Sequence, residues 1–118
     1  LPRGTPLAGA QRHLDRGAQN AVVLGICHLT IEMPEAHSLK EKRRVVRSLT
    51  ERVRARFNVS IAEVADQDAW QVATVAFVCL SNSSRHVDDT MQTVIRFIEG
   101  NLQAGYLADV ATEVMHLD

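Results

Sequence analysis

Apolar and polar positions along the chain follow two different periods, and together they predict six elements. Four segments are rich in β-branched and apolar residues and end at turn-forming residues, as strands do: 21–33, 59–65, 70–81 and 106–116. Between them, two segments place apolar residues every three or four positions, which is typical of amphipathic helices. The pattern predicts the element order β-α-β-β-α-β.

The first predicted helix begins at Ser38 and ends close to residue 57. Ser38 followed three residues later by Glu41 is the pattern of a capping box, and Asn58 tolerates the left-handed conformation in which many helices end. A second helix is expected to begin within residues 82–84 and to end near Gly100 or Gly105. The apolar positions of the two helices are Leu39, Val46, Leu49, Val53 and Phe57, then Val87, Met91, Val94, Ile95 and Ile98.

The strands differ in how many of their faces are apolar, and this difference predicts their order in a sheet. The segments 21–33 and 70–81 have apolar residues on both faces, so we expect them to be central. The segment 59–65 has an ambiguous phase, which indicates an edge position or a bulge. A short polar turn at 66–68 makes a hairpin, and the alternating segment 106–116 reads as a half-buried strand. With right-handed crossovers the result is an α+β, ferredoxin-like sandwich, a four-stranded antiparallel sheet with two helices on one face.

Residues 1–20 differ from the remainder because they contain three glycines and two prolines and have no apolar period. We interpret them as a mobile leader or as an extension that is not native to the domain, and residues 21–118 as a single domain. No apolar run approaches the ~20 residues of a membrane span. The two cysteines lie far apart in apolar runs, so we expect them to be reduced and the protein to be cytoplasmic.

Charge is strongly polarised along the chain although the net charge is only −1. Residues 38–57 hold eight of the thirteen basic residues and two of the fourteen acidic ones, a local charge of +6. At 100° per residue, five of the basic positions fall within an arc of about 100° that faces solvent. They are Lys40, Arg43, Arg44, Arg47 and Arg54, and Glu51 interrupts the arc at one edge. Such an arc binds phosphates, serves only as a solubilising surface, or meets an acidic protein partner.

The sequence offers no convincing catalytic, cofactor or metal site. Glu63, Asp66 and Asp68 suit a polar turn better than a cation loop, and the histidines lack a paired metal spacing. The serines beside His86 read as helix caps, because no orienting acid or oxyanion loop accompanies them. We therefore expect a protein that is not an enzyme.

The open face of the sheet is poorly suited to stacking RNA bases. Such modules place aromatic side chains on their central strands, and here only Trp70 could stack a base. The open face is instead apolar, which predicts a homodimer through this face or its coverage by the leader. The apolar positions concerned are Val22, Leu24, Ile26, Val72, Val78 and Leu80.

A family resemblance is carried by three stretches: PEAHSLKEKRRVVRSL at 34–49, FNVSIAEVADQDAWQ at 57–71 and SNSSRHVDD at 81–89. They resemble the YlxP-like family of small bacterial proteins of unknown function, and the similarity extends over about residues 22–117. The resemblance implies a cytoplasmic, ferredoxin-like domain and supplies no catalytic residue. Genes of this family often lie beside genes for transcription and translation factors, which implies an RNA or ribosome connection.

These observations predict a non-enzymatic factor, associated with RNA or the ribosome, that binds phosphate backbone through its first helix. The alternative is a dimeric protein-interaction or regulatory module that uses its sheet face or edges.

Overall fold

The computed structural model describes residues 21–117, and in them the six elements occur in the predicted order. The predicted leader, residues 1–20, lies outside the described residues. The strands are β1 (Val22–Glu32), β2 (Ser60–Ala65), β3 (Val72–Ser81) and β4 (Tyr106–Leu117). The helices are α1 (Leu39–Arg56) and α2 (Ser84–Gly100).

The described strands form one antiparallel sheet in the order β2-β3-β1-β4. The central positions of β1 and β3, which the two-sided apolar pattern predicts, are confirmed. Alternate residues of β1 from Val23 to Ile31 are buried beneath the helices, and α1 and α2 contact each other on that face. The fold is therefore the predicted α+β, ferredoxin-like sandwich.

Both helices bury the apolar stripe that their sequence predicts. Val46, Leu49 and Val53 of α1 are buried, whereas Leu39 and Phe57 are half-buried at its two ends. The buried residues of α2 are Val87, Met91, Val94 and Ile98. Within residues 21–117, neither helix is both long and apolar enough to cross a membrane.

Serine side chains cap the beginning of each helix. Ser38 Oγ accepts a hydrogen bond from the Glu41 N–H at 3.1 Å, and Ser83 Oγ accepts one from the His86 N–H at 3.2 Å. The capping box is only half formed, because the Glu41 carboxylate accepts from the His37 N–H instead of the Ser38 N–H. The α1 helix ends at Arg56, two residues before Asn58.

The strand β2 lies at an edge of the sheet and also contains a bulge, and either feature would explain the ambiguous phase of its sequence. Its pairing with β3 shifts register between Glu63 and Ala65, as a bulge does. The polar turn follows at once: Asp66 has a φ of 60°, and its carbonyl accepts the Ala69 N–H at 3.0 Å.

The expectation of a half-buried β4 is wrong. Apart from Leu107, every residue of this strand is exposed. The physical reason is its position: β4 is at the edge of the sheet, and α2 packs against β1 and β3 more than against β4. Alternation along β4 therefore separates two accessible faces.

Gly25 lets α2 approach β1 closely. A Cβ atom at this position would lie 2.5 Å from Val87 Cγ1 and 2.9 Å from Met91 Sδ. We expect Gly25→Ala to lower the free energy of unfolding by about 1–3 kcal/mol, because the helix must shift away from the sheet. Urea unfolding measures this, with Gly100→Ala as the control, since a Cβ there meets nothing within 4 Å. Equal stabilities of the two variants would contradict the close packing.

Burial raises the pKa of the Cys27 thiol to about 11 from 9.0, and the neighbouring Cys79 adds to this rise. The folded protein therefore keeps a proton that the unfolded chain loses, so the stabilisation is complete below pH 9 and is lost as the pH rises through 11. Between neutral pH and about pH 10.5 we expect wild type to lose about 2 kcal/mol more than Cys27→Ala. Urea unfolding at both pH values checks this, and parallel losses would contradict it.

Candidate nucleic-acid interface

The eight basic residues between Ser38 and Phe57 divide into two groups, which the sequence does not separate. One group of four is held by contacts within the fold, and the other projects from α1 toward solvent. The held residues are Lys42, Arg52, Arg54 and Arg56. The projecting residues are Lys40, Arg43, Arg44 and Arg47, and we refer to them as the basic face.

Lys42 is wholly buried and joins α1 to the β2–β3 hairpin. Its Nζ lies 2.7 Å from Glu63 Oε2 and donates to the carbonyls of Asp66 at 2.8 Å and Val72 at 3.2 Å. Thr74 Oγ1 in turn donates to Asp66 Oδ2 at 2.6 Å. All three ammonium protons therefore have partners, and Lys42 has none left for a ligand.

Two arginines tie the C-terminal half of α1 to α2. Arg52 Nη2 donates to the Asn101 carbonyl at 2.7 Å, just beyond the end of α2. The Arg56 guanidinium lies 5.3 Å from the centre of the Phe97 ring, which itself packs edge-on against Phe57. This is a cation–π geometry, so both guanidinium groups contribute to helix packing.

Arg54 belongs to the predicted binding arc but differs from its other members. Its Nη2 donates to the Ile61 carbonyl at 2.8 Å, which fixes the side chain against β2. Arg54 is nevertheless exposed. Whether it also meets a ligand stays a prediction, and the structure does not bring it together with the other four.

The structure does bring Lys40, Arg43, Arg44 and Arg47 together. These four residues, and no others, line a shallow depression of about 310 Å³ on the outer side of α1. The lining is almost wholly apolar, because it consists of the aliphatic stems. All four side chains are exposed. They form one compact cationic surface on a rigid helix.

No carboxylate of the described residues forms an ion pair with this surface. Among residues 21–117, one ion pair has its nitrogen and oxygen atoms within 4.0 Å, and it joins Lys42 to Glu63. No residue of the basic face forms such a pair. The Glu41 carboxylate accepts a hydrogen bond from the His37 N–H, and Glu51, four residues after Arg47 on α1, forms no ion pair with the basic face. A polyanion that approaches the basic face would therefore meet guanidinium groups without a competing carboxylate partner among the described residues.

A larger depression lies elsewhere on the described surface. It has a volume of about 570 Å³ and is formed by the loops that precede α1 and β4. Glu35 and Glu41 line it, together with His37 and Tyr106. Two carboxylates at its wall disfavour phosphate, so the basic face is the better site for a polyanion despite its smaller volume.

Tyr106 lies on the open face of the sheet, although strict alternation along β4 would place it on the face opposite to that of Asp109. Between Thr30 and Ile31 the pairing of β1 with β4 shifts register, so Tyr106 lies opposite Glu32 and shares the open face with Asp109. Its hydroxyl lies 3.4 Å from the Glu32 carboxylate. The neighbouring acids disfavour RNA there. Only the bulge, which the sequence does not signal, could have revealed this residue.

Trp70 lies outside the strands, before β3, and is 49% exposed, so it does not pack in the core. On the open face, five of the six predicted apolar residues are half-buried and Leu80 is 65% exposed. On this face Leu24 of β1 lies between Leu80 of β3 and Met115 of β4, and Leu117 follows Met115 two residues later along β4. The strongly exposed apolar surface is thus concentrated in one corner of the open face.

Three of the polar residues considered for catalysis or metal binding have structural partners. Glu63 pairs with Lys42, Asp66 accepts from Thr74, and Ser83 caps α2. Within residues 21–117, no group of three or more histidine, cysteine or acidic side chains is arranged to hold a metal ion.

A ferredoxin-like domain with a cationic first helix is a broad class, and comparison with known proteins narrows it to a family. A family model described as "Protein of unknown function (DUF503)" matches residues 24–110, from β1 into β4. The chain belongs to this family. It is also similar to the uncharacterised protein YlxP of Bacillus subtilis (strain 168), with 35% identity over 77 residues, covering 65% of this chain and 84% of the relative.

Among solved structures, the chain is similar to the de novo designed protein Foldit4. The match has a TM-score of 0.42 and 15% identity and covers 83% of this chain and 97% of the designed one. A likeness this distant bears on neither fold nor function.

Proposed function

We propose that this protein is a non-enzymatic, cytoplasmic factor that binds RNA or a ribosomal RNA surface through the phosphate backbone. The observation that carries the proposal is the basic face: four exposed basic side chains line one depression without an ion pair to any described carboxylate. Three of the four are arginines, whose guanidinium groups can donate two parallel hydrogen bonds to one phosphate.

The geometry favours contacts with the backbone over contacts with bases. Lys40 and Arg47 are seven residues apart on α1, a rise of roughly 10 Å, so the basic face can follow consecutive phosphates of one strand. The open sheet face supplies no aromatic platform on β1 or β3. Binding is therefore expected to depend on charge and shape and to discriminate weakly between sequences.

Salt dependence of RNA binding tests the proposal. Fluorescence anisotropy with a labelled single-stranded RNA should give a slope of about −3 for log Kobs against log [KCl], because four phosphate contacts each contribute roughly 0.7. A polyglutamate of matched charge, the comparison for an acidic protein partner, should bind much more weakly. A slope near zero, or tighter binding to polyglutamate, would contradict the proposal.

The second candidate function is a protein-interaction or regulatory module, in which the sheet face or an edge strand binds another chain. The exposed corner formed by Leu80, Met115 and Leu117 favours it, because contiguous apolar surface marks interaction sites. A homodimer through the open face is its simplest form. Apolar association should persist as salt rises, whereas RNA binding should weaken, so one salt titration separates the two functions.

A further inference from the structure

The edge strand β4 offers an unpaired backbone along its whole length. It has 12 residues and pairs with β1 on one side, from Val22 opposite Leu117 to Glu32 opposite Tyr106. On its other side no strand of residues 21–117 lies beside it. Every second N–H and C=O of β4 thus points away from the sheet, a template for another strand.

The opposite edge of the sheet is protected, and the contrast singles out β4. The β2 strand has only six residues, contains a bulge after Glu63, and has its Ile61 carbonyl occupied by Arg54. Short strands, bulges and covering side chains are the usual means of preventing strand addition. In the described part of the chain, no side chain donates to the β4 backbone or accepts from it.

The side chains of β4 also suit a neighbouring strand. Val110 and Val114 point to the helix side of the sheet, yet they remain 38% and 39% exposed because α2 does not cover them. Met115 and Leu117 point to the open face and are exposed as well. A strand added at this edge would cover apolar residues on both faces at once, which raises the gain over backbone pairing alone.

The length and the charge pattern of β4 together favour an antiparallel copy of itself as that strand, because the overlap is longest when pairing is centred on Ala111 or on Thr112. Pairing centred on Ala111 or on Glu113 would place carboxylates directly opposite one another, which is destabilising. Pairing centred on Thr112 instead places Val110 opposite Val114 of the partner subunit and sets each carboxylate opposite an uncharged side chain. We infer that β4 pairs in this register with β4 of a second copy of this chain.

The resulting dimer has one continuous eight-stranded sheet with all four helices on the same side. The two α1 helices lie at its outer ends, six or seven strand spacings of about 4.8 Å apart, roughly 30 Å before twist is considered. Each basic face therefore stays accessible. The second candidate function includes a homodimer, and this inference places its interface at the edge strand β4. The inference does not depend on the RNA proposal.

Mass and cross-linking of the full-length chain test the inference. Light scattering should give twice the 13.1 kDa of one chain. Opposite residues in this register lie about 4.5–5.5 Å apart between Cα atoms, within reach of a disulfide. Thr112→Cys should therefore form a covalent dimer on oxidation. Wild type should not, because its two cysteines are buried.

A mixture of two variants, each with one added cysteine, fixes the register. Val110→Cys mixed with Val114→Cys should cross-link, whereas either alone should not, because its own copies lie roughly 13 Å apart along the strand. A monomeric mass at every concentration would overturn both this inference and dimerisation through the open face. If Leu80→Cys forms a covalent dimer and Thr112→Cys does not, pairing through β4 is overturned and dimerisation through the open face is retained.

Charge exchange gives a control that does not depend on disulfide chemistry. Val110→Lys/Val114→Lys should be monomeric, because each introduced lysine faces another in the partner. Val110→Lys/Val114→Glu should recover the dimeric mass, because each lysine then faces a glutamate. Both substitutions are at exposed positions, so the fold should be retained, and circular dichroism checks it. Two variants of equal mass would overturn the register.

Discussion

Exchanging Arg43 and Arg47 for glutamate should lower the affinity for RNA about a hundredfold at ~0.1 M salt. Both residues belong to the basic face, and neither donates a hydrogen bond to another described residue, so the fold has no need of their charge. Each lost phosphate contact removes the release of about 0.7–0.9 counterions, and each introduced carboxylate adds repulsion.

A matched pair of substitutions separates local binding from net charge. Arg85 and Arg96 are exposed on α2, and their exchange for glutamate alters the net charge of the protein by the same amount. We expect that variant to bind RNA within about threefold of wild type, because long-range charge is largely screened at ~0.1 M salt. Anisotropy titrations measure both variants, and equal losses would mean that the basic face is not the binding surface.

The salt slope gives a second, independent readout of the same variants. Arg43→Glu/Arg47→Glu should bind with a slope smaller in magnitude by roughly 1.5, since two contacts are lost. The α2 variant should keep the wild-type slope. A lower affinity with an unchanged slope would indicate a damaged fold instead of lost phosphate contacts.

Replacing Lys42 by methionine should lower the free energy of unfolding by about 3 kcal/mol. The side chain of Lys42 is 0% exposed and that of Glu63 only 18% exposed, so the carboxylate left behind is mostly removed from water. The Glu63 Oε2 atom is buried and has no hydrogen-bond partner apart from this ion pair. The carbonyls of Asp66 and Val72 lose their donor as well.

Two controls attribute that loss to the buried pair. Lys40→Met, two residues away on the exposed side of α1, should change stability by less than about 0.5 kcal/mol. Adding Glu63→Gln to Lys42→Met should recover part of the loss, because the uncompensated charge is removed. Urea unfolding of wild type, Lys42→Met, Glu63→Gln and the double variant completes the cycle. Similar stabilities for Lys40→Met and Lys42→Met would show that the buried network contributes little.

The element order and the sheet could be predicted because each local pattern agrees with the global fold. The two-sided apolar character of β1 and β3 follows directly from their central positions, and Ser38 and Ser83 begin helices where their side chains can cap them. These signals are contained in a few consecutive residues, which is why the chain alone reveals them.

The errors arise where the outcome depends on contacts between distant segments. Alternation predicts a half-buried β4, but burial depends on where α2 lies, and α2 leaves that edge uncovered. Likewise the face of Tyr106 depends on a register shift between β1 and β4. Neither the position of a helix over a sheet nor a bulge in a ladder has a strong local signal.

The basic segment illustrates the same limit for the candidate site. Helical periodicity groups Arg54 with the basic face, and it cannot show that the Ile61 carbonyl, across the chain in β2, engages that side chain. Periodicity does leave Lys42 outside the arc, but its burial depends on Glu63 and the hairpin turn. Half of the positive charge that first indicates a polyanion partner therefore stabilises the fold.

The central claim is that Lys40, Arg43, Arg44 and Arg47 form the surface that contacts a polyanion. An NMR titration of the ¹⁵N-labelled chain with a short single-stranded RNA tests it most directly, since every backbone amide reports separately. We expect perturbations concentrated on the exposed side of α1 that disappear at high salt, with β4 unaffected. Perturbations confined to the sheet, or none at low salt, would contradict it.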